Sequence, residues 1–238
     1  WASRLSPGPA PMSGGNISLI DAGGPDETNS HGHDNSYDLA SARHSIEHAI
    51  AAAKLLGKES AIGANWSSIV AALPSAFTYG RGSDGRTIMR CWGNGAGGDK
   101  KLCNGIGVLM QRYPLNMSRT NVLNDTVHAA NLDFYPSQWR AGNSMFWSMF
   151  TIGHNGLGNH SAADHFLAKS LDGFLWGDFK IWSEVHGGGG CPNFLTGGGI
   201  FLQSVWAGYA GLRYSDDSLQ IHAPRLLPGS DRLRIRGV

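Results

Sequence analysis

The sequence has few charged residues and no long apolar runs. Charged residues make up 16% of the 238 positions, and the formal net charge is +1 with no basic block. A nucleic-acid-binding protein would need a Lys/Arg-rich face, which this pattern does not supply. No apolar run reaches the roughly 18 residues that a membrane-spanning helix requires. We therefore expect neither a nucleic-acid partner nor a membrane partner.

Cysteine is also scarce. Cys91, Cys103 and Cys191 are three in number, so at least one of them is free or pairs outside this chain. Their spacings match neither a zinc ribbon nor a redox Cys-x-x-Cys motif, and they predict ordinary thiols or one disulfide.

Five asparagines stand in Asn-x-Ser/Thr acceptor sequences, which favours a secreted or vacuolar glycoprotein. They are Asn16, Asn65, Asn116, Asn124 and Asn159. No signal peptide is visible, and Trp1 is not a natural start. We expect the chain to be a fragment or a proteolytic product.

Apolar residues that recur every three or four positions predict a mainly helical fold. The predicted helices lie at 39–56, with Gly57 as C-terminal cap, and at 66–73, 119–134, 145–157, 162–174 and 200–209. Glycine is abundant, at 34 residues, and predicts loops at 80–107, 153–158 and 186–199. After Gly211 the apolar residues alternate with period two, which predicts strands at 219–221 and 233–235.

One metal-binding pattern lies on the first predicted helix. His44-Ser45-Ile46-Glu47-His48 matches the H-x-x-E-H motif of inverted zinc peptidases, although a solvated helix surface explains it as well. Nucleophile-elbow, Walker A and dinucleotide-binding motifs are absent from the sequence.

Two acidic segments next to glycines and aromatic residues favour cleavage of a glycosidic bond. Asp26-Glu27 follows Gly24-Pro25, and Glu184 follows Trp182 and precedes the glycine run 187–190. Glycosidases use one carboxylic acid to protonate the leaving oxygen and a second carboxylate on the other face of the sugar. Plain surface turns are the alternative interpretation of both segments.

Ordered motifs along the whole chain resemble glycoside hydrolase family 65, in its acid-trehalase-like and protein-glucosylgalactosylhydroxylysine-glucosidase-like members. The motifs are Trp1-Ala2-Ser3-Arg4, Gly24-Pro25-Asp26-Glu27 with Asn35 and Tyr37, Gln111-Arg112-Tyr113-Pro114-Leu115, Trp147-Ser148-Met149-Phe150, Asn193-Phe194-Leu195-Thr196-Gly197, and Gly208 to Arg213. Thr28-Asn29 departs from the Tyr-His that follows the acid in that family.

The resemblance implies the later half of an (α/α)6 barrel at residues 1–212. Residues 213–238 would then be the first strands of a small C-terminal β-sandwich domain. A second chain or a missing segment would supply the rest of the barrel.

The resemblance also implies an inverting α-glycoside hydrolase without a cofactor, with Glu27 as general acid and Glu184 as general base. Its substrate would be trehalose or a similar α-linked glucosyl disaccharide unit, contacted by Asp26, Trp182, Asn193 and Thr196. A disaccharide phosphorylase of the same fold and an inactive sugar-binding homologue are the alternatives.

Overall fold

The computed structural model describes residues 5–6, 18–20, 22–25, 32–61, 63, 65–73, 79–93, 103–116, 124–138, 142–215 and 217–237. The fold is mainly α, as predicted, with four small antiparallel sheets among these residues. The chain divides into two compact units, Trp1–Gln138 and Trp139–Val238. None of the described helices combines the length and apolar character needed to cross a membrane.

The first unit is organised around the helix α1, Ser36–Leu55. The side-chain oxygen of Asn35 caps its start by accepting hydrogen bonds from the backbone N–H groups of Tyr37 and Asp38, at 3.0 and 3.1 Å. Gly57 follows its end with φ +63°, a left-handed conformation that favours glycine and closes a helix C-terminus. The predicted helix at 39–56 and its glycine cap are confirmed.

Among its described residues, the first unit also contains the shorter α-helices α2 (Trp66–Ala72), α3 (Ile106–Arg112) and α4 (Asp125–Gln138). The prediction at 66–73 is confirmed. The helix predicted at 119–134 is confirmed from Asp125 onwards, and its first residues, up to 123, lie outside the described ranges. α4 begins where it does because the Asn124 side chain accepts a hydrogen bond from Val127 N at 2.9 Å.

The predicted glycine-rich loop at 80–107 is wrong in part, because α3 begins inside it at Ile106 and a hairpin occupies its start. The hairpin pairs β3 (Tyr79–Arg81) with β4 (Thr87–Met89). Asn131 Oδ1 accepts from Met89 N at 2.9 Å, which fixes the hairpin to α4. Cys91 and Cys103 form a disulfide and Cys191 is free, so the prediction of one disulfide is confirmed.

The core of the second unit is aromatic and lies between α5 (Ser144–Gly156) and α6 (His160–Leu171). Trp147 and Phe150 are fully buried, and the Phe166 ring of α6 stacks on Trp147 at 5.9 Å between centroids. The helix predicted at 145–157 is confirmed, and so is the one at 162–174, except that it ends at Leu171. The loop predicted at 153–158 starts only after Gly156.

Helix α7, Leu195–Gln203, continues into a π-helical segment at Ser204–Tyr209. The helix predicted at 200–209 is confirmed but begins five residues earlier. Gly197 lets α7 approach α5 closely, since a Cβ at this position would lie 2.3 Å from Ser144 Oγ. Gly197 therefore serves helix packing, and the prediction that residues 197–199 form a loop is wrong.

The rest of the predicted loop at 186–199 is also structured. Strands β5 (Leu175–Trp176), β6 (Ile181–Val185) and β7 (Gly189–Pro192) form an antiparallel sheet in that order. Gly187 and Gly188 have φ of +84° and +90° and form the turn between β6 and β7. Glycine suits this turn because it readily adopts positive φ. The strand that follows, β7, pairs through backbone hydrogen bonds, which do not require an apolar sequence pattern.

Strands β8 (Leu212–Tyr214) and β9 (Leu219–Ile221) form a hairpin after α7. The strand predicted at 219–221 is confirmed, whereas the strand predicted at 233–235 is wrong. Residues 233–235 alternate in polarity but pair with no strand in the described part of the chain. A strand needs a pairing partner, and the alternating pattern alone does not supply one.

Strands β1 (Leu5–Ser6) and β2 (Ser18–Leu19) pair at the start of the first unit. Asp34 continues this arrangement, because its backbone N donates to Leu19 O and its Oδ1 accepts from Leu19 N, both at 2.8 Å.

Candidate active site

Glu184 lies in the middle of β6, opposite a bulge in β7. Ser183 pairs with Pro192 and Val185 pairs with Gly189, so Gly190 and Cys191 together face the single residue Glu184. A bulge of this kind bends the strand and changes the direction of its side chains. Bulges are common beside active sites. Gly190 has φ +72°, as a glycine in a bulge can readily adopt.

The bulge holds the carboxylate of Glu184 through the backbone. Cys191 N donates a hydrogen bond to Glu184 Oε2 at 3.0 Å. A Cβ at Gly190 would lie 2.7 Å from the same oxygen, so the close approach requires glycine. The Cys191 thiol is a second hydrogen-bond partner of this carboxylate, and the Glu184 side chain is half-buried. The bulge therefore fixes Oε2, while the carboxylate stays partly exposed to a ligand or to water.

The thiol of Cys191 lies beside the same carboxylate. Its hydrogen bond to Glu184, and then the negative charge of that residue, raise the pKa of the Cys191 thiol above its usual value. Cys191 is not among the site residues predicted from the sequence. The glycine run at 187–190 was the available signal, because a tight turn there brings residue 191 back towards residue 184.

Trp182 lies on the same face of β6 as Glu184, since side chains alternate along a strand. Its ring centroid is 5.5 Å from that of Phe201, and a Cβ at Gly198 would lie 3.1 Å from the indole Nε1. Trp182 therefore packs against α7 and remains half-buried. Trp147, by contrast, is only 1% exposed and belongs to the core.

Asn193 and Thr196 lie between β7 and the first turn of α7. Phe194 N donates to Trp182 O at 2.9 Å, which holds this segment against β6. Asn193 has φ +54° and is exposed, and Thr196 is exposed. The structure thus places Glu184 and Trp182 on one face of β6, and Asn193 and Thr196 in the exposed segment that follows β7.

The other two predicted site residues, Asp26 and Glu27, lie outside the described residues. The segments on either side of them are described. Ala22 and Gly32 form an antiparallel bridge, with N–O distances of 2.9 and 3.2 Å in the two directions. We call residues 22–32 the acid loop, and the bridge joins its two ends.

The H-x-x-E-H pattern lies on α1. His48 Nδ1 is 2.8 Å from the carbonyl oxygen of His44, and the two rings are 3.9 Å apart between centroids. The described ranges contain no group of three or more His, Cys, Asp or Glu side chains that could hold a metal ion.

Four of the five acceptor asparagines are described. Asn65, Asn124 and Asn159 are exposed, Asn116 is half-buried, and Asn16 lies outside the described residues. Asn124 and Asn159 accept helix-capping hydrogen bonds through Oδ1, which leaves the amide nitrogen of each directed away from that contact.

No protein-family profile matches the chain. Individual relatives do. The chain is 39% identical over 97 residues to the protein-glucosylgalactosylhydroxylysine glucosidase of Danio rerio, which covers 41% of this chain and 14% of the relative. It is 32% identical over 119 residues to the periplasmic acid trehalase of Saccharomyces cerevisiae, covering 45% and 10%. It is 33% identical over 84 residues to the kojibiose hydrolase of Mucilaginibacter mallensis, covering 34% and 12%.

The chain is related to glycoside hydrolases. The predicted resemblance to acid-trehalase-like and glucosylgalactosylhydroxylysine-glucosidase-like enzymes is confirmed. The chain spans only about 14% of the length of the glucosidase relatives from Danio rerio and Gallus gallus.

Proposed function

We propose that the chain forms part of an inverting α-glycoside hydrolase that acts on trehalose or a similar α-linked glucosyl disaccharide unit. The observation that carries the proposal is the carboxylate of Glu184. One of its oxygens is held by the bulge at Gly190–Cys191, and the side chain is partly exposed. A fixed, half-buried carboxylate is what a general base requires. The relatives named as glycosidases supply the class of bond that is cleaved.

In the proposed reaction, Glu184 takes a proton from a water molecule as the water oxygen bonds to the anomeric carbon. Glu27 gives its proton to the glycosidic oxygen as the bond from that oxygen to the anomeric carbon breaks. The water attacks from the face opposite the leaving group, so the configuration inverts. Room for this water requires the two carboxyl groups to lie about 6.5–9.5 Å apart.

Substrate contacts are proposed for four residues. Asp26 would accept hydrogen bonds from sugar hydroxyls, whereas Asn193, and Thr196 in the first turn of α7, would donate to them or accept from them. Trp182 offers the exposed part of a flat apolar ring on the same face of β6 as Glu184. Its contact with α7 would keep that ring in one orientation.

We further propose that residues 1–212 belong to the later half of an (α/α)6 barrel. The β8–β9 hairpin would begin a C-terminal β domain at residues 213–238. A further segment or chain would supply the remaining barrel helices. The mainly helical fold of the described residues supports this proposal.

The compartment would be secreted or vacuolar. The Cys91–Cys103 disulfide favours an oxidising environment, and one relative is a periplasmic enzyme. The five acceptor asparagines would then carry glycans, and peptide mapping by mass spectrometry before and after deglycosylation checks each position.

Substitution of either carboxylate tests the function. We expect Glu184→Gln and Glu27→Gln each to lower kcat on an α-linked glucosyl disaccharide by about 10²–10⁴-fold, because each removes a proton-transfer group. Glu59→Gln, at an exposed glutamate elsewhere in the chain, serves as the control and should leave kcat unchanged.

The alternatives give different results in the same assay. Turnover that requires inorganic phosphate and yields a sugar phosphate would identify a phosphorylase. Sugar binding by the unmodified protein without any turnover would identify an inactive homologue. Either outcome would overturn the proposed hydrolase.

A further inference from the structure

The N-terminal turn of α1 holds the start of the acid loop. Gly24 N donates a hydrogen bond to Asp38 Oδ2 at 3.0 Å, and both residues are half-buried. Gly24 is three positions before Glu27. The hydrogen bond spans fourteen residues of sequence, so it links the loop to a rigid helix and is not a local turn contact.

Close packing leaves Gly24 and Pro25 little freedom. Gly24 has φ +66°, and a Cβ there would lie 2.5 Å from Asn35 Nδ2. Pro25 packs on the buried Gly107 of α3, where a Cβ would lie 3.1 Å from the proline ring. Asn35 is 2% exposed and caps α1, so its own position is fixed by the helix.

The hydrogen bond from Gly24 N to Asp38 involves a charged group. A carboxylate that accepts a backbone N–H bond makes a stronger contact than a neutral pair. It also sits in the first turn of α1, where the helix dipole favours negative charge. Asp38 therefore fixes the backbone where the chain enters the segment that bears the acid.

We propose that Asp38 is a positioning residue for the general acid of the enzyme, which holds the backbone of Gly24 so that Glu27 reaches the glycosidic oxygen. The inference rests on the proposed function. Asp38 acts through the loop and is not assigned any contact with the substrate.

The leaving group distinguishes this role from a structural one. A disaccharide must receive a proton from the acid as it leaves, whereas fluoride leaves from α-glucosyl fluoride without one. Hydrolysis of the fluoride depends on the base, Glu184, and also demands a folded site. A variant with a displaced acid should therefore lose activity on the disaccharide and keep it on the fluoride.

The experiment compares Asp38→Ala, Asp38→Asn and Asp38→Glu in the full-length protein. We expect Asp38→Ala to lower kcat on the disaccharide by about 100-fold, as a small displacement of a catalytic group can do, with the fluoride rate little changed. Asp38→Asn retains an acceptor oxygen and should recover most of the activity. Asp38→Glu keeps the charge but moves the oxygens, and should show the same leaving-group dependence in weaker form.

Glu47→Ala is the matched control. Glu47 is an exposed carboxylate on the same helix that pairs with Arg43 at 3.5 Å, and its loss should affect neither substrate. Equal loss of both rates in Asp38→Ala and Asp38→Glu would overturn the inference, because it indicates a structural role. Unchanged rates on both substrates would overturn it too. If Glu27→Gln and Glu184→Gln are fully active, the proposed function fails instead.

Discussion

At the scale of single residues, Glu184 shares its surroundings with a free thiol. The backbone N–H of Cys191 donates a hydrogen bond to the carboxylate, and the negative charge of Glu184 raises the pKa of the Cys191 thiol. The other two cysteines are joined in a disulfide, so Cys191 is the free cysteine of this chain. Its reactivity can report on the ionisation of Glu184 without any substrate.

We expect Glu184→Gln to speed the alkylation of Cys191 by iodoacetamide at pH 8. The Glu184 carboxylate raises the pKa of the thiol, and the thiolate is the reactive form. Without the negative charge, the thiol pKa falls and more thiolate is present at the same pH. The rate is measured by mass spectrometry of the peptide that contains Cys191.

Glu59→Gln is the control for this measurement, since Glu59 is an exposed glutamate in the other compact unit. It should alkylate at the rate of the unmodified protein. If Glu184→Gln reacts no faster than this control, the carboxylate and the thiol are not adjacent, and the described arrangement of the β6–β7 hairpin is contradicted.

At the scale of structural elements, a cluster around Arg225 fastens the segment after β9 to the helices of the second unit. Arg225 Nε donates to Asn155 Oδ1 at 2.7 Å, and its guanidinium pairs with Asp164. Tyr209 donates to the same carboxylate at 2.7 Å, and the Arg225 guanidinium lies 4.4 Å from the Tyr209 ring centroid. Burial, followed by the bond to Asp164, raises the pKa of Tyr209 above its usual range.

We expect Arg225→Met to lower the free energy of unfolding at pH 7 by about 1–3 kcal/mol, the usual range for hydrogen bonds to charged groups. The low end applies if water screens the partly exposed Asp164. Equilibrium denaturation in urea measures the change. Arg86→Met removes an exposed ion pair with Asp84 and Asp133 and should have little effect.

The effect of Arg225→Met should depend on pH. The hydrogen bond from Arg225 is the main cause that lowers the pKa of Asp164 below 3.8. A lowered folded-state pKa adds stability above the unfolded value, and this stability is lost as the pH falls through the folded value. The difference in stability between the two proteins should therefore shrink as the pH falls below about 4, while the part due to Asn155 and Tyr209 remains. A constant difference down to pH 2 would show that Asp164 is not the partner.

The elements that could be predicted from the sequence are those with an apolar period and a cap. α1 has both in Leu39, Ala42 and Gly57, and α5 is apolar nearly all round, so both were predicted within a few residues. β7 and the start of α7 could not be predicted, because their glycines act by making room for other residues. Gly190 makes room for the Glu184 carboxylate, and Gly197 for Ser144.

The candidate site was predictable to the same extent. Glu184 and Trp182 stood out by residue type and by resemblance, whereas the roles of Cys191 and Asp38 depend on a bulge and on a contact between distant residues. For Cys191 the sequence offers only the glycine run at 187–190, which indicates a turn but not the bulge. For Asp38 a single sequence carries no signal, because its contact joins residues fourteen positions apart.

At the scale of the whole molecule, each compact unit carries one part of the proposed reaction. The unit Trp1–Gln138 contains Glu27, the proposed acid, and the unit Trp139–Val238 contains Glu184, the proposed base on the β6–β7 hairpin. The proposed hydrolase thus has its acid and its base in different parts of the chain. Relatives that act as glycosidases support the chemistry, and the geometry of Glu184 supports its role as base.

The stereochemistry of the first product tests this central claim most directly. Proton NMR of the full-length protein with an α-glucosyl disaccharide whose leaving sugar is not glucose would follow the anomeric signals of the released glucose during the first minutes, before mutarotation equilibrates them. Trehalose is unsuitable, because its leaving group is itself α-glucose. We expect β-glucose to appear first, because water activated by Glu184 attacks the face opposite the leaving group. Initial release of α-glucose would mean retention through a covalent intermediate, and would contradict the assignment of Glu184 as a general base.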